Sequence, residues 1–201
     1  MLTESVSNPS VIVLAGPNGA GKTTCAPTLL RETLGVVQYV NADLIAQGLA
    51  GFAPERAALA AGRVMMARLK ELAANRRSFA FETTLASRSF APWLAGLVRV
   101  GYDVHLFYLW LASDDLAVRR VADRVRMGGH GIPEDTIRRR YHAGLRNFFA
   151  LYQPMARTWR VYDNTSEGTM RLVATGERGL TTHLLDPGIW KSICERYARE
   201  R

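Results

Sequence analysis

The chain has 201 residues, is 48% hydrophobic and 22% charged, and carries a net charge of +8. Its size suits one sizeable core, so a single domain over residues 1–201 is expected. Its two cysteines, Cys25 and Cys194, stand outside any CxxC pair, which excludes a disulfide scaffold or a zinc ribbon, and no apolar run nears the ~20 residues that span a bilayer.

Val11 to Ala15 is a continuous apolar run, the pattern of a strand buried on both faces of a parallel sheet. A glycine-rich loop follows and opens a helix expected to reach about Leu34. VVQYV (36–40) is a second strand, ending in NAD. The stretch 54–76 begins at Pro54, a favoured first-turn residue, and repeats Leu59, Met65, Met66, Leu69 and Leu72 at helical spacing. SFAFETT (78–84) is a third strand, followed by a helix over about 88–100 and by VHLFYLWL (104–111), the most apolar strand. From Ser113 the arginine density rises across two helical stretches joined by GGHGIP, and these read as a lid-like segment over 113–158. WRVYDN (159–164) is a fifth strand, MRLVATGERGLTTHLLDP an edge hairpin turning at Arg178 and Gly179, and WKSICERYARER a short basic helix. Trp93, Trp110, Trp159 and Trp190 are expected in the core. Strands alternating with helices specify an α/β fold: an open, mainly parallel sheet of about five strands with helices on both faces.

The loop GPNGAGKT, comprising Gly16, Pro17, Asn18, Gly19, Ala20, Gly21, Lys22 and Thr23, matches GxxxxGK[ST] in full and is followed by Thr24. Its place between a predicted strand and a predicted helix is the context that makes the pattern specific. Glycines let successive backbone N–H groups turn inward as an anion nest. Lys22 supplies a charge to the β- and γ-phosphates, and the Thr23 hydroxyl is placed to ligate Mg²⁺. ATP or GTP with Mg²⁺ is therefore expected, in a P-loop kinase-like domain.

Two carboxylates end the neighbouring strands: Asp43 after the second and Glu82 in the third. In an open α/β sheet such strand ends adjoin the crevice that holds the phosphates. A phosphotransferase needs one carboxylate to take the proton of an acceptor hydroxyl and another to hold the acceptor. The alternatives are that Asp43 caps the helix DLIAQGL and that Glu82 orients a water on Mg²⁺. Arg120 and Arg124 share one helix face, and Arg138, Arg139 and Arg140 spread around the next helix. They read either as a cationic clamp on the transferring phosphoryl group or as a solvated face paired with Asp114, Asp115, Asp123 and Glu134. His130, between the glycines, is structural or adjacent to substrate.

Taken together, GPNGAGKTT, VNAD, FETTLAS, RVADRVRMGGHGIPEDTIRRRYHAGLRNF and YDN resemble the zeta-toxin-like P-loop kinases over about residues 11–165. With neither a signal peptide nor a membrane-length apolar run in the sequence, a cytoplasmic protein is expected. The resemblance implies a kinase that phosphorylates a hydroxyl of UDP-N-acetylglucosamine, and an antitoxin protein as a partner. It implies Asp43 as catalytic base, Lys22 and Thr23 serving nucleotide and metal, and Glu82 and Thr84 holding the acceptor. Arg124 and Arg140 would clamp the phosphates, with Arg120 and Arg139 in reserve. The sequence departs from that family where Thr83 and Thr84 follow Glu82 and the next arginine is Arg88.

Two other readings compete. One is the same transfer onto another metabolite or an antibiotic. The other is an NTP-dependent nucleic-acid-binding or regulatory module, which the positive charge favours. Against it, the chain lacks a helix-turn-helix or an aromatic-and-basic RNA motif, and its arginines cluster beside the phosphate site.

Overall fold

The computed structural model describes residues 8–33, 35–51, 54–129, 131–166 and 168–198. Seven strands, β1 (Ser10–Ala15), β2 (Tyr39–Val40), β3 (Phe79–Thr83), β4 (Asp103–Trp110), β5 (Thr158–Asp163), β6 (Arg171–Glu177) and β7 (Leu180–Leu184), form one sheet in the order β2-β3-β1-β4-β5-β6-β7. The first five run parallel, and β6 and β7 turn back antiparallel at one edge. The two strands beyond the expected five are the arms of the edge hairpin. Arg178 (φ 46°) and Gly179 (φ 83°) supply the two left-handed residues that a tight hairpin turn requires. Every residue of β7 is exposed, so its place in the expected hairpin was marked by the Arg178-Gly179 turn and not by an apolar pattern.

The helices are α1 (Lys22–Ala26), α2 (Ala42–Leu49), α3 (Ala58–Ala74), α4 (Phe90–Arg99), α5 (Asp114–Arg126), α6 (Glu134–Asn147) and α7 (Pro187–Tyr197). No helix among the described residues is long and apolar enough to cross a membrane. Central β1 is apolar because both its faces are covered: Val11, Val13, Leu14 and Ala15 are at most 1% exposed. Trp159 and Trp190 are buried and stack at 5.2 Å, while Trp93 and Trp110 pack half-buried against the same core.

Three elements differ from the sequence reading. The helix after the glycine loop holds its α pattern for only five residues and then widens into a π segment, Pro27–Thr33. Pro27 has no N–H to donate to the i−4 carbonyl, so the ladder breaks where it stands. The second strand shrinks to Tyr39 and Val40, because it is an outer strand whose Val37 is exposed. The third helix starts as a 3₁₀ turn at Pro54–Ala57, and its buried stripe is Ala61, Met65, Leu69 and Leu72. Leu59, expected on that stripe, is 80% exposed.

The arginine-rich pair α5 and α6 is anchored at both ends. Ser113 caps α5 by accepting from the Leu116 amide at 3.1 Å. In α6 the Tyr141 hydroxyl donates to the Leu111 carbonyl at 2.6 Å, and Ile137, Tyr141 and Leu145 are buried. Gly144 lets α6 rest on the end of β3, since a Cβ there would lie 2.4 Å from the Thr84 carbonyl oxygen. Backbone cannot yield cheaply at that distance. Gly144→Ala is expected to cost about 1–3 kcal/mol of stability, the range for overpacking, read as a lower urea midpoint with an unchanged slope.

Candidate functional site

The carboxyl ends of β1, β2, β3, β4 and β5 converge on one side of the sheet, where the glycine loop leaves β1. Gly16 (φ 144°) and Gly19 (φ 77°) adopt backbone that side chains rarely take, and neither has room for one. A Cβ at Gly16 would meet the Leu109 carbonyl oxygen at 2.4 Å, and one at Gly19 the Ala117 carbonyl oxygen at 2.9 Å. The loop is therefore pressed between the end of β4 and the start of α5. Asn164, which follows β5, donates its amide to the Ala20 carbonyl at 2.8 Å and ties the loop to a third element. Arg120 reaches across from α5, donating to the Thr165 carbonyl at 3.0 Å and to the Gly19 carbonyl at 3.5 Å.

Lys22 donates its ammonium to the carbonyls of Gly16 and Pro17 at 2.8 and 2.9 Å, so its charge lies along the loop. Burial holds that ammonium below the usual lysine range, against Glu82 and Asp43, whose negative charges favour the protonated form. Next to it, Thr23 donates its hydroxyl to Glu82 Oε2 at 3.1 Å. Glu82 is buried, and its other oxygen accepts from the Tyr39 hydroxyl. Burial, and then the Glu82 hydrogen bond, push the Tyr39 phenol far above its ordinary pKa. Asn41 donates to the same phenol oxygen at 3.0 Å. A buried carboxylate is tolerated when its oxygens are hydrogen-bonded, and here two hydroxyls from two different elements bond it.

Asn41 also answers the question left open about Asp43. The Asn41 side-chain oxygen accepts from the amides of Asp43 and Leu44 at 2.7 and 3.3 Å, and its backbone is extended (φ −133°, ψ 123°). Asn41 is the N-cap of α2, not Asp43. Asp43 stands in the first turn with an exposed carboxylate that makes no hydrogen bond among the described residues.

A cleft of about 630 Å³ joins these groups: Lys22, Thr23, Asp43, Glu82, Arg120 and Arg124 all line it. Asn18, Gly19, Gly21 and Thr24 belong to the same wall, and Arg140 touches it from behind with Nη1 at 3.5 Å from Asn18 Oδ1. Six predicted residues do not line the cleft: Gly16, Pro17 and Ala20 within the loop, Arg140 behind Asn18, and Thr84 and Arg139 farther off. Arg139 is exposed on α6, and the Thr84 hydroxyl accepts from the Ala86 amide at 3.3 Å in a local turn. Arg138 belongs to the solvated face, paired with Glu134, Asp114 and Asp115 at 2.7, 3.1 and 2.6 Å. His130 lies outside the described residues. Cys25 lines the cleft as well, but burial and Glu82 push its thiol up to about 11, which keeps it neutral.

Sequence reasoning passed over Tyr39, Asn41, Asn164 and Met170 as site residues. Asn41 and Asn164 stand in VNAD and YDN beside recognised positions, so the signal was present. Tyr39, an aromatic in a strand, carries no local sign that its hydroxyl faces a carboxylate. Asp163 holds Asn164 in place: it is buried, accepts from the Thr165 amide at 2.9 Å and pairs with Arg171 at 2.8 Å.

The profile of the Zeta toxin family matches residues 2–171. The chain belongs to the Zeta toxin family. An uncharacterised protein of Haemophilus influenzae is 28% identical over 130 residues, covering 65% of this chain and 91% of that one. Among solved structures, AvrRxo1-ORF1:-ORF2 with ATP superposes with a TM-score of 0.69 at 17% identity, covering 94% of this chain and 64% of its own. The PezAT chromosomal toxin-antitoxin system of Streptococcus pneumoniae gives a TM-score of 0.64 at 15% identity, covering 98% of this chain and 81% of the other. This Zeta toxin family member thus has a P-loop kinase fold, and it spans less than two thirds of the AvrRxo1 chain.

The cap assignment makes a measurable distinction within this family member. Asn41→Ala is expected to lower stability by about 1 kcal/mol through loss of the cap. Asp43→Asn is expected to cost no more than the ~0.3–1 kcal/mol of a first-turn acid on the helix dipole. Paired denaturant titrations of the two variants check the order.

Proposed function

We propose that this protein transfers the γ-phosphoryl group of ATP or GTP, as its Mg²⁺ complex, to a hydroxyl of a small molecule, most specifically a nucleotide sugar such as UDP-N-acetylglucosamine. One observation carries the reading: Asp43, relieved of capping by Asn41, faces the same cleft as Lys22 and Thr23. Family membership and the likeness to chains solved with ATP and within a toxin-antitoxin system support it, and they suggest an antitoxin protein as the partner of this chain too.

In this reading the loop amides and Lys22 bind the β- and γ-phosphates, and Arg120 and Arg124 approach the phosphoryl group from α5. Arg140 steadies Asn18, and Arg139 and Thr84 drop to outlying roles. Asp43 accepts the proton of the acceptor hydroxyl as the new P–O bond forms and the bond to the β-phosphate oxygen breaks. Glu82 is better suited to the metal side than to the acceptor, because its carboxylate already holds the Thr23 hydroxyl. Thr23 and Glu82 together offer the hard oxygen donors that Mg²⁺ takes, and the nucleotide phosphates and waters would complete its shell. The ion, when bound, neutralises charge building on the β- and γ-oxygens. The segment 113–158 acts as a lid only where α5 and α6 meet, because the rest of α6 is held in the core.

Two outcomes are expected. Asp43→Asn should leave affinity for Mg·ATP nearly intact while transfer to the acceptor falls by about 10²–10⁴, the range for loss of a general base. Equal loss of affinity and rate would assign Asp43 to the metal, and an unmoved transfer rate would remove it from the catalytic set. Arg124→Ala should lower kcat by about 10²–10³, whereas Arg139→Ala should behave like the remote control Arg99→Ala. Steady-state kinetics with γ-labelled ATP, a metabolite extract and mass spectrometry of the labelled product test both, and name the acceptor.

A further inference from the structure

A second cavity, of about 820 Å³, lies at the amino ends of β1, β3, β4 and β5, on the far side of the sheet from the glycine loop. The five residue steps from Ser10 to Ala15 put about 16 Å between the two ends of β1. Arg76, Arg77 and Arg160 line this cavity together with His105, Thr158 and Phe107, and no carboxylate among the described residues lines it.

Those arginines differ from five others on the surface. Arg68, Arg126, Arg138, Arg157 and Arg171 each pair with an Asp or Glu. Among the described residues Arg76, Arg77 and Arg160 have no such partner. Arg76 donates to the Val100 carbonyl at 2.9 Å and lies over the Tyr102 ring, and Arg160 lies over Phe107 at 5.3 Å. The closest acid in sequence to the cavity wall, Asp103, is already engaged with Arg157 at 2.7 Å. Three guanidiniums at one concavity, none paired with a carboxylate among the described residues, make a positive field, and Arg is the side chain best shaped for phosphate.

The remaining wall adds neutral donors and an apolar floor. His105 Nδ1 and Thr158 Oγ1 share a hydrogen bond of 2.8 Å, and Phe107 stacks with Tyr162 at an interplanar angle of 8°. An apolar floor with a few convergent polar groups, in a volume within the ~300–1,000 Å³ of small-molecule sites, is the form of a ligand pocket. We propose that this cavity binds a phosphorylated small molecule of mononucleotide size, its phosphate on Arg77 and Arg160 and its ring toward Phe107. The site is separate from the nucleotide cleft and does not rest on the kinase reading. It also accounts for positive charge that the phosphate-loop cleft leaves unused.

The test titrates AMP calorimetrically into the full chain already saturated with Mg²⁺ and a non-hydrolysable ATP analogue. The expected result is one saturable AMP site. Arg77→Ala with Arg160→Gln should weaken it at least tenfold, and Asp43→Asn should leave it unchanged. Arg77→Ala alone, at an exposed side chain, should weaken it in the same direction and keeps the test valid if the double variant misfolds. Absence of saturable binding, affinity unchanged in both arginine variants, or loss of binding in Asp43→Asn instead would overturn the proposal.

Discussion

The site depends on the pairing of one buried carboxylate. Glu82 sits near the end of β3, where desolvation of a charge is expensive, and it is held by the Thr23 hydroxyl on one oxygen and the Tyr39 hydroxyl on the other. Asn41 extends the chain by donating to Tyr39, and its other amide atom caps α2. The first turn of α1, β2, α2 and β3 are thereby joined through four side chains. The position of Asp43 follows from that chain, because the cap sets where α2 begins. Lys22 adds the opposite charge beside it, and Glu82 and Asp43 favour its protonated form against the effect of burial.

A second set of contacts acts from the opposite side of the loop. Leu109 from β4 and Ala117 from α5 approach so closely that only glycine fits opposite them. Asn164 and Arg120 then bond the loop carbonyls. The phosphate-binding backbone is held in shape by groups that themselves need not touch phosphate. Preorganisation of this kind is what lets fixed dipoles act without rearranging during reaction.

Arginines that look equivalent in the sequence divide into distinct duties. Arg120 and Arg124 line the cleft from α5, and Arg140 reaches the back of the loop. Arg138, one residue from Arg139 and two from Arg140, is neutralised by three carboxylates. Helix phase explains the division: neighbours on a helix are ~100° apart, so adjacent arginines on α6 face different surroundings. Which phase faces the cleft is set by Tyr141 and Gly144, which seat the helix against Leu111 and Thr84.

The glycine loop, the parallel strands and the two strand-end carboxylates were legible in the sequence because each rests on local constraints. Glycine permits positive φ, continuous apolar runs mark strands covered on both faces, and a residue at a strand end adjoins the crevice in any open α/β sheet. Tertiary structure decided what local pattern cannot reach. The π segment after Pro27 gave no periodic signal, and Leu59 fitted the helical spacing yet faces solvent. The choice of Asn41 over Asp43 as cap turned on where α2 starts, and the partner of Glu82 on a residue 43 positions away in the chain. Residue type and spacing name the chemistry available to a chain. Which hydroxyl meets which carboxylate is a matter of distance, and distances between elements remote in sequence exist only once the core has packed.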